Sequence, residues 1–256
     1  MPLERKFRSM RLLMFASLLG LASLCLPRAS VAGWAVAPIR VDFSPQQRTE
    51  TVSVTNDGDA PLHFDVAAMT WTQDAAGQDT YTETSDLVFF PKYLAVPPKE
   101  TRVIRVGIKA PAVGTEKCYR LFIREKPRTD TASGTRVAIL VNFGVPIFSR
   151  PAVVTLGGEI TNLAMQQGQL AFGVRNSGNV HVQLQQLSVT GTAAGGEEIF
   201  RHDLKGWYLL AGSARTHAVA IPPEVCPQLR RVTVTFAGDG LTLERSVEAE
   251  AAACSR

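Results

Sequence analysis

Apolar and polar residues alternate in short segments between residues 35 and 148. Each segment ends at a cluster of proline, glycine, asparagine, aspartate or serine, and no helical periodicity lies between the segments. Alternation with a period of two is typical of strands with one buried face, whereas a parallel sheet would need crossover helices. The pattern therefore predicts an antiparallel sandwich of about seven strands. These strands run through AVAPIRVDF (35–43), TETVSVTN (49–56), LHFDVAAMTW (62–71), LVFF and YLAV around Pro91, TRVIRVGI (101–108), CYRLFIRE (118–125) and TRVAILVNFGVPIF (135–148).

A second block with the same pattern follows the segment SRPAVV (149–154), which we interpret as a short, stiff hinge. Its alternating segments, among them LAFGVRN, HVQLQQLSVTG, RRVTVTF and LTLERSVEAE, are separated by glycine-containing turns. The two blocks share strand spacing, but no sequence repeat is evident between them. We therefore expect an all-β protein with two sandwich domains, at residues 33–150 and 151–256.

The first 32 residues have the layout of a secretory signal peptide. The basic segment ERKFRSMR precedes the apolar run LLMFASLLGLASLCL, and Ser30 and Ala32 occupy the small positions before a cleavage point. The alternative is a single membrane anchor, but the run is shorter than the roughly 20 residues that a spanning helix needs. We therefore expect cleavage after Ala32 and an exported chain without a membrane anchor.

This segment also accounts for the formal net charge of +4. It holds five of the 27 basic residues and one of the 23 acidic residues, so the rest of the chain carries 22 of each. A mature chain without net charge argues against a nucleic-acid partner or an acidic membrane surface.

The sequence contains no motif for catalysis, metal binding or cofactor binding. The histidines are scattered without HxH or HExxH spacing, and the cysteines lack CxxC spacing. No GxSxG elbow, phosphate-binding loop or dinucleotide fingerprint occurs. We therefore expect no metal, no cofactor and no enzymatic activity, although sandwich folds can carry enzymes built from distant residues.

The segment before the hinge carries apolar residues on both faces of its predicted strand. Val137, Ile139, Val141 and Phe143 share one face, whereas Leu140 lies on the other and can serve the core. One interpretation is a central strand that is buried on both faces. The other is an edge strand with an apolar row, which a protein keeps when it adds that strand to a partner's sheet.

Five segments follow one another in a characteristic order through residues 34–151: APIRVDF, VSVTNDGDAPLHFDV, LVFFPKYLAVPPKETRVIRV, CYRLFIREKP and VPIFSRPA. In order and spacing, they resemble the periplasmic chaperones of the chaperone–usher pathway for pilus assembly. The YR pair in the sixth strand and the VPIF ending look more like the archaic, spore-coat-U-type branch than the common P-pilus type. The second block resembles the family only loosely.

The resemblance implies two immunoglobulin-like domains set at an angle, as in a boomerang, and a location in the periplasm. In such chaperones, the last strand of the first domain completes the sandwich of a pilus subunit that lacks one strand. An outer-membrane usher then receives the subunit, and no nucleotide is needed. By position, Val137, Ile139, Val141 and Phe143 are the donor-strand residues. The free protein could also cap its exposed strands as a dimer.

The resemblance also implies a site for the carboxylate at the end of the subunit. Common members use an arginine in the first strand, matched here by Arg40, and a lysine near the end of the donor strand, where this chain has Pro146. Arg120 lies on the polar face of its strand, and a guanidinium can donate two hydrogen bonds to a carboxylate. We therefore expect Arg120 to replace the missing lysine, beside Arg40. The alternative is a solvated surface arginine.

Two further structural features are expected. Family members join their domains through an acid–arginine–acid network, for which Glu116, Arg150 and Asp239 lie at the matching positions. We also expect a disulfide between Cys226 and Cys254, which bracket the last two strands and would tie down the carboxyl-terminal segment. Cys118 is then the unpaired cysteine.

Two functions from different classes therefore compete. The first is a chaperone that binds and stabilises pilus subunits and delivers them to an usher. The alternative is an exported structural or adhesive protein with two immunoglobulin-like domains, itself a component of a surface appendage. Co-expression with a neighbouring exported subunit distinguishes them, because only a chaperone would protect that subunit from degradation.

Overall fold

The computed structural model describes residues 33–127 and 139–254. The predicted signal peptide and Val137 lie outside these residues. Strands account for most of the described chain. The first ten strands are β1 (Trp34–Ala37), β2 (Val41–Phe43), β3 (Thr49–Asn56), β4 (Leu62–Gln73), β5 (Asp79–Glu83), β6 (Leu87–Phe90), β7 (Tyr93–Val96), β8 (Thr101–Ile108), β9 (Lys117–Glu125) and β10 (Asn142–Ser149).

These ten strands form two sheets with a core of buried apolar side chains between them. One sheet has the order β1-β3-β8-β6, and the other has the order β2-β10-β9-β4-β5, with β7 also paired to β4. Side chains alternate between inside and outside, as in β9, where Tyr119, Leu121 and Ile123 are buried in this core. The arrangement confirms the all-β sandwich predicted from the pattern.

The segment expected to form one strand at 35–43 is divided between the two sheets. β1 pairs antiparallel with β3, whereas β2 pairs in parallel with the end of β10. Pro38 lies between β1 and β2, and a proline cannot donate a ladder hydrogen bond. The division places Arg40 where the chain passes from one sheet to the other.

One additional strand and one strand boundary also differ from the expectation. β5 lies in a polar stretch that predicted no strand, because its side chains are mostly exposed and do not alternate in polarity. β10 begins only at Asn142, and residues 139–141 before it are outside the strand.

The second half of the described chain forms a further set of sheets around a second apolar core. Their strand orders are β11-β12-β17, β13-β16 and β15-β14-β18-β19. Cys226 and Cys254 lie in two short 3-10 helices, Cys226–Gln228 and Ala251–Cys254, and their sulfurs form a disulfide. The strands are β11 (Gly158–Gln166), β12 (Gln169–Asn176), β13 (Val182–Gln183), β14 (Gln186–Thr192), β15 (Glu198–Leu204), β16 (Tyr208–Leu209), β17 (Ala214–Ala220), β18 (Arg231–Gly238) and β19 (Leu241–Glu248).

Each sandwich contains a buried asparagine in the same backbone arrangement. The side-chain amide of Asn56 donates to the carbonyls of Ala60 and Val96. Its side-chain oxygen accepts a hydrogen bond from the N–H of Gly58. In the second sandwich, the equivalent residues are Asn176 with Val180, Leu209 and Gly178. The repeat thus consists of a single Asn-x-Gly triplet in each half, which is too short to stand out in the sequence.

Candidate functional site

The candidate site lies on the outer face of the larger sheet of the first sandwich, where the second sandwich covers part of that face. On β9, the side chains that alternate with the core residues point to this outer face, and Arg120 is one of them. A small cluster of buried side chains crosses between the two sandwiches here. Its members are Trp71, Cys118 and Phe148 from the first sandwich and Tyr208 and Leu210 from the second.

Arg120 is buried in this region, with only 5% of its surface exposed. It donates one hydrogen bond, from Nη1 to the carbonyl of Gly144 at 2.8 Å, while its buried Nε has no partner. Its Cζ lies 4.1 Å from the ring centre of Trp71 and 5.2 Å from that of Trp207. The alternative of a solvated arginine is therefore wrong. No carboxylate among the described residues pairs with this guanidinium, and a buried cation without an anion is costly.

Arg40 differs from Arg120 because its charge is already paired. Its Nε and Nη2 donate to the two carboxylate oxygens of Asp42 at 2.7 and 2.8 Å. Burial alone would lower the pKa of Arg40, but the hydrogen-bonded Asp42 outweighs it and the pKa is raised. Cζ of Arg40 lies 5.0 Å from the ring centre of Phe148, which is itself 5.8 Å from Trp71. The two arginines thus lie on one aromatic cluster, each over a different ring.

The beginning of β10 is paired on one side only. β9 pairs with the strand along its whole length, whereas β2 pairs only with Ile147–Ser149. Within the part of the chain that the structure describes, residues 142–146 therefore have one edge that no strand pairs with, although the carbonyl of Gly144 accepts the hydrogen bond from Arg120. Such an edge can accept the strand of another protein.

A row of apolar side chains leads out of the core along this strand. Val145 and Ile147 are buried in the core, and Phe143, in the same row, packs partly against it. At Phe143, this face therefore points towards the core, because the core extends to that residue. Ile139 and Val141 continue the row beyond the core, and they are 87% and 44% exposed.

A buried carboxylate joins the two sandwiches. Glu116, just before β9, has no exposed side-chain surface, and neither has His181 of the second sandwich. Oε2 of Glu116 accepts the backbone N–H of His181 at 2.8 Å and lies 2.6 Å from Nδ1 of the His181 imidazole. The His181 ring stacks on Phe148, with ring centres 3.6 Å apart.

The network around Arg150 differs from the prediction in its third member. Nε of Arg150 lies 3.8 Å from Glu116 and 3.5 Å from Asp42. Asp239 instead accepts the backbone N–H of Gln183 at 2.7 Å, within the second sandwich. Asp42 of the first sandwich takes the second acidic position beside Arg150. The charge of Asp239 nevertheless reaches the first sandwich, where it helps to raise the pKa of Arg40.

Residues 33–155 match the family described as "Pili and flagellar-assembly chaperone, PapD N-terminal domain". This match assigns residues 33–155 to the N-terminal domain of that chaperone family. The chain has no significant match among curated protein sequences.

Solved chaperone structures share the fold. The pre-assembly complex of the chaperone CsuC with the tip adhesion subunit CsuE, from the archaic Csu pili of Acinetobacter baumannii, aligns with a TM-score of 0.59 at 16% identity, over 83% of this chain and 98% of that chain. The E. coli chaperone DraB aligns with a TM-score of 0.53 at 18% identity, over 85% and 95%. The CupB2 chaperone of Pseudomonas aeruginosa aligns with a TM-score of 0.52 at 16% identity, over 84% and 100%. At these identities, the similarity concerns the fold.

Cys118 is a free, buried cysteine at the contact between the sandwiches. Burial raises the pKa of its thiol, and the neighbouring carboxylate of Glu116 raises it further. The thiol is therefore a poor nucleophile. Among residues 33–127 and 139–254, no group of three or more His, Cys, Asp or Glu side chains could hold a metal ion. Nor does any helix in this part of the chain have the length and apolar character to cross a membrane.

Sequence reasoning missed the aromatic residues that surround Arg120. One signal was present at Trp71, which lies three residues after Ala68, the last residue of the even-numbered core row of β4. By alternation, Trp71 belongs to the outer face, where a large aromatic side chain is expected only if another part of the protein covers it. For Trp207, no such signal exists, because it lies in a loop of the second sandwich.

Proposed function

We propose that this protein is a periplasmic chaperone that binds pilus subunits by donor-strand complementation and delivers them to an outer-membrane usher. The observation that carries the proposal is the free edge of β10, with Ile139 and Val141 exposed beside it. A subunit that lacks one strand exposes unpaired backbone groups and an apolar groove. An added strand supplies the missing main-chain hydrogen bonds, and its alternate side chains fill the groove.

The exposed row has the residue types that such a groove requires. Branched aliphatic side chains favour extended backbone, and each contributes about 1.5–3 kcal/mol when it is fully buried. Ile139 and Val141 are therefore the principal donor residues among those described. Phe143 contributes less, because part of its surface already packs on the chaperone's own core. Val137 remains a predicted donor residue.

We assign recognition of the subunit's terminal carboxylate chiefly to Arg120. A carboxylate at this position would supply the anion that the buried guanidinium lacks, through charge-assisted hydrogen bonds. Arg40 contacts the same aromatic cluster and adds positive charge, although its Nε and Nη2 already donate to Asp42. In this proposal, Arg120 of β9 takes the role of the lysine that common members have in the donor strand, where this chain has Pro146 of β10.

The remaining parts of the proposal follow from the predicted signal peptide and the family. Export places the protein in the periplasm, where pilus subunits pass before they reach an usher. The free edges of β10 in two copies could pair with one another, which gives the self-capping dimer of the unloaded protein. The Csu structure supports the partner class, because it contains a chaperone together with a tip adhesion subunit.

Co-expression with an exported pilus subunit tests the proposal. We expect the wild-type protein to protect the subunit from degradation and to purify with it in a one-to-one complex. An Ile139→Ser/Val141→Ser variant loses two apolar contacts, which corresponds to a complex weaker by about a hundredfold or more at roughly 1.5 kcal/mol or more per side chain. Val153→Ser is the matched control, because Val153 is highly exposed but lies after the first sandwich.

Undiminished recovery of the subunit with the Ile139→Ser/Val141→Ser variant would contradict donor-strand binding. An Arg120→Ala variant that binds the subunit at wild-type strength would contradict the carboxylate role of Arg120. Recovery of the protein itself as a component of purified surface appendages would instead support the structural or adhesive alternative.

A further inference from the structure

The guanidinium of Arg120 is held by an aromatic ring from each sandwich. Trp71 of β4 belongs to the first, and Trp207, in the loop between β15 and β16, belongs to the second. Unlike Trp71, which is fully buried, Trp207 is 47% exposed. Trp207 therefore lies between the buried cation and the solvent, at the place where a ligand of Arg120 would arrive.

The position of Trp207 is fixed by a carboxylate of the first sandwich. Its indole N–H donates to Oδ2 of Asp79 at 3.2 Å, and the same oxygen accepts the hydroxyl of Tyr81 at 3.3 Å. The other oxygen of Asp79 accepts Nε2 of Gln73 at 3.1 Å. Burial and Asp79 raise the pKa of Tyr81 whereas Arg120 lowers it, so the phenol lies in the field of the guanidinium as well.

Asp79 and Gln73 belong to the hairpin formed by β4 and β5, and this hairpin also binds the residues that follow Trp207. Gln73 donates to the carbonyl of Tyr208 at 2.8 Å and accepts the N–H of Leu210 at 3.0 Å. At the tip of the hairpin, Gly77 has a positive φ, and a Cβ added there would lie 2.8 Å from the carbonyl oxygen of Ala214. The β4–β5 hairpin therefore contacts the second sandwich on both sides of this segment, through Gln73 and through Gly77.

We propose that Trp207 is a positioning residue for carboxylate recognition, that it acts through Arg120, and that Asp79 holds it in place. This inference rests on the proposed role of Arg120. The face of an indole attracts a guanidinium, and covering the cation excludes water, which strengthens its interaction with an anion. The indole N–H of Trp207 already donates to Asp79, so Trp207 does not bind the carboxylate itself. Its effect is on Arg120, and it changes how strongly Arg120 distinguishes a carboxylate from a neutral chain end.

The test uses the purified full-length protein and a ten-residue peptide of alternating threonine and valine, in acid and carboxamide forms. Calorimetry measures the affinity for each form. We expect wild-type protein to prefer the acid by about tenfold, as a charge-assisted hydrogen-bond pair provides. Trp207→Leu reduces this preference to about twofold or less without weakening binding of the carboxamide, because only one ring then holds the cation. Trp207→Tyr restores most of the preference, and Asp79→Ser lowers it partly.

Phe90→Leu is the matched control, because Phe90 is also an exposed aromatic residue but lies in the opposite sheet. If Trp207→Leu keeps the acid preference while Arg120→Ala loses it, the inference is wrong and the proposed function stands. If wild-type protein binds both forms equally, or neither form, the proposed function itself is contradicted. Should Trp207→Leu fail to fold by circular dichroism, an unchanged preference in both Asp79→Ser and Trp207→Met overturns the inference, because Met removes the ring without leaving a large cavity.

Discussion

Arg120 has an environment that its own strand does not create. Alternation along β9 places it opposite the core residues Tyr119 and Leu121, where a charged side chain normally reaches solvent. The second sandwich covers this face, so the guanidinium is buried beside Trp71 and Trp207. An arginine on the outer face of a strand thereby becomes a buried cation, and a buried cation favours an anionic ligand.

His217 also depends on its surroundings, and it makes folding stability dependent on pH. Burial and the nearby Arg215 lower its pKa from the ordinary value of 6.5. The unfolded chain therefore takes up this proton at a higher pH than the folded chain, so stability falls as the pH drops below about 6.5. We expect His217→Gln to reduce the loss of unfolding free energy between pH 8 and pH 5.

Urea denaturation across this pH range measures the effect. The control is the comparison at pH 8, where His217 is neutral in both states and the variant reports only its lost packing on Phe172. A His217→Gln variant whose stability depends on pH as steeply as that of the wild type would contradict the prediction.

At the scale of the element, β10 combines the two alternatives that its sequence pattern left open. Residues 145–149 are buried on both faces, as in a central strand, because the core covers one face and the second sandwich covers the other. Residues 139–142 are exposed, as in an edge strand, because both coverings end before them. The apolar pattern is the same along the segment, so its function changes only with what surrounds it.

The two Asn-x-Gly turns are elements whose importance the sequence understates. Asn176 is buried and bonds the carbonyls of Val180 and Leu209 together with the N–H of Gly178. Asn176→Ala leaves these buried groups unpaired, which costs about 1–3 kcal/mol. We expect a correspondingly lower unfolding free energy in chemical denaturation.

Asn56→Ala should have an effect of similar size, because Asn56 makes the same set of bonds in the first sandwich. Gln186→Ala provides the control, since Gln186 is an exposed residue of β14. Equal stability of the Asn176→Ala and Gln186→Ala variants would show that the turn is held by other interactions.

At the scale of the whole molecule, the connection between the sandwiches depends on Glu116. Its carboxylate accepts the backbone N–H of His181, contacts the imidazole, and lies within reach of Arg150. The backbone N–H of Glu116 also donates to the carbonyl of Asn179. The side chains of Glu116 and His181 have no exposed surface, so the loss of one of them leaves the other buried and unsatisfied.

Glu116→Ala should therefore destabilise the protein by about 3–5 kcal/mol, as the removal of one member of a buried pair does. Because the sandwiches have separate cores, we expect calorimetry to show two resolved unfolding transitions in this variant. Glu198→Ala removes a half-exposed pair with Arg201 and should cost at most about 1 kcal/mol. A single, unshifted transition in Glu116→Ala would mean that other contacts hold the sandwiches together.

The sequence by itself determined the all-β class, most of the strands, and the order of segments that marks the chaperone family. It did so because alternation, turn residues and local spacing act over a few residues of chain. It also directed attention to Arg120, to the apolar row at Ile139 and Val141, and to Cys226 and Cys254. Only the tertiary structure decided that Arg120 is buried, that Arg40 is occupied by Asp42, and that Phe143 belongs partly to the core.

The tertiary structure also placed His181 and Trp207 at the site and put Asp42 beside Arg150. These outcomes depend on which surfaces of the two sandwiches meet, and that is set by contacts between residues far apart in the chain. No local pattern records such contacts, because the same alternating strand is compatible with a solvated face and with a covered one. The strand edge that we propose for subunit binding is therefore visible in the sequence as an apolar row, whereas its carboxylate site exists only in the folded protein.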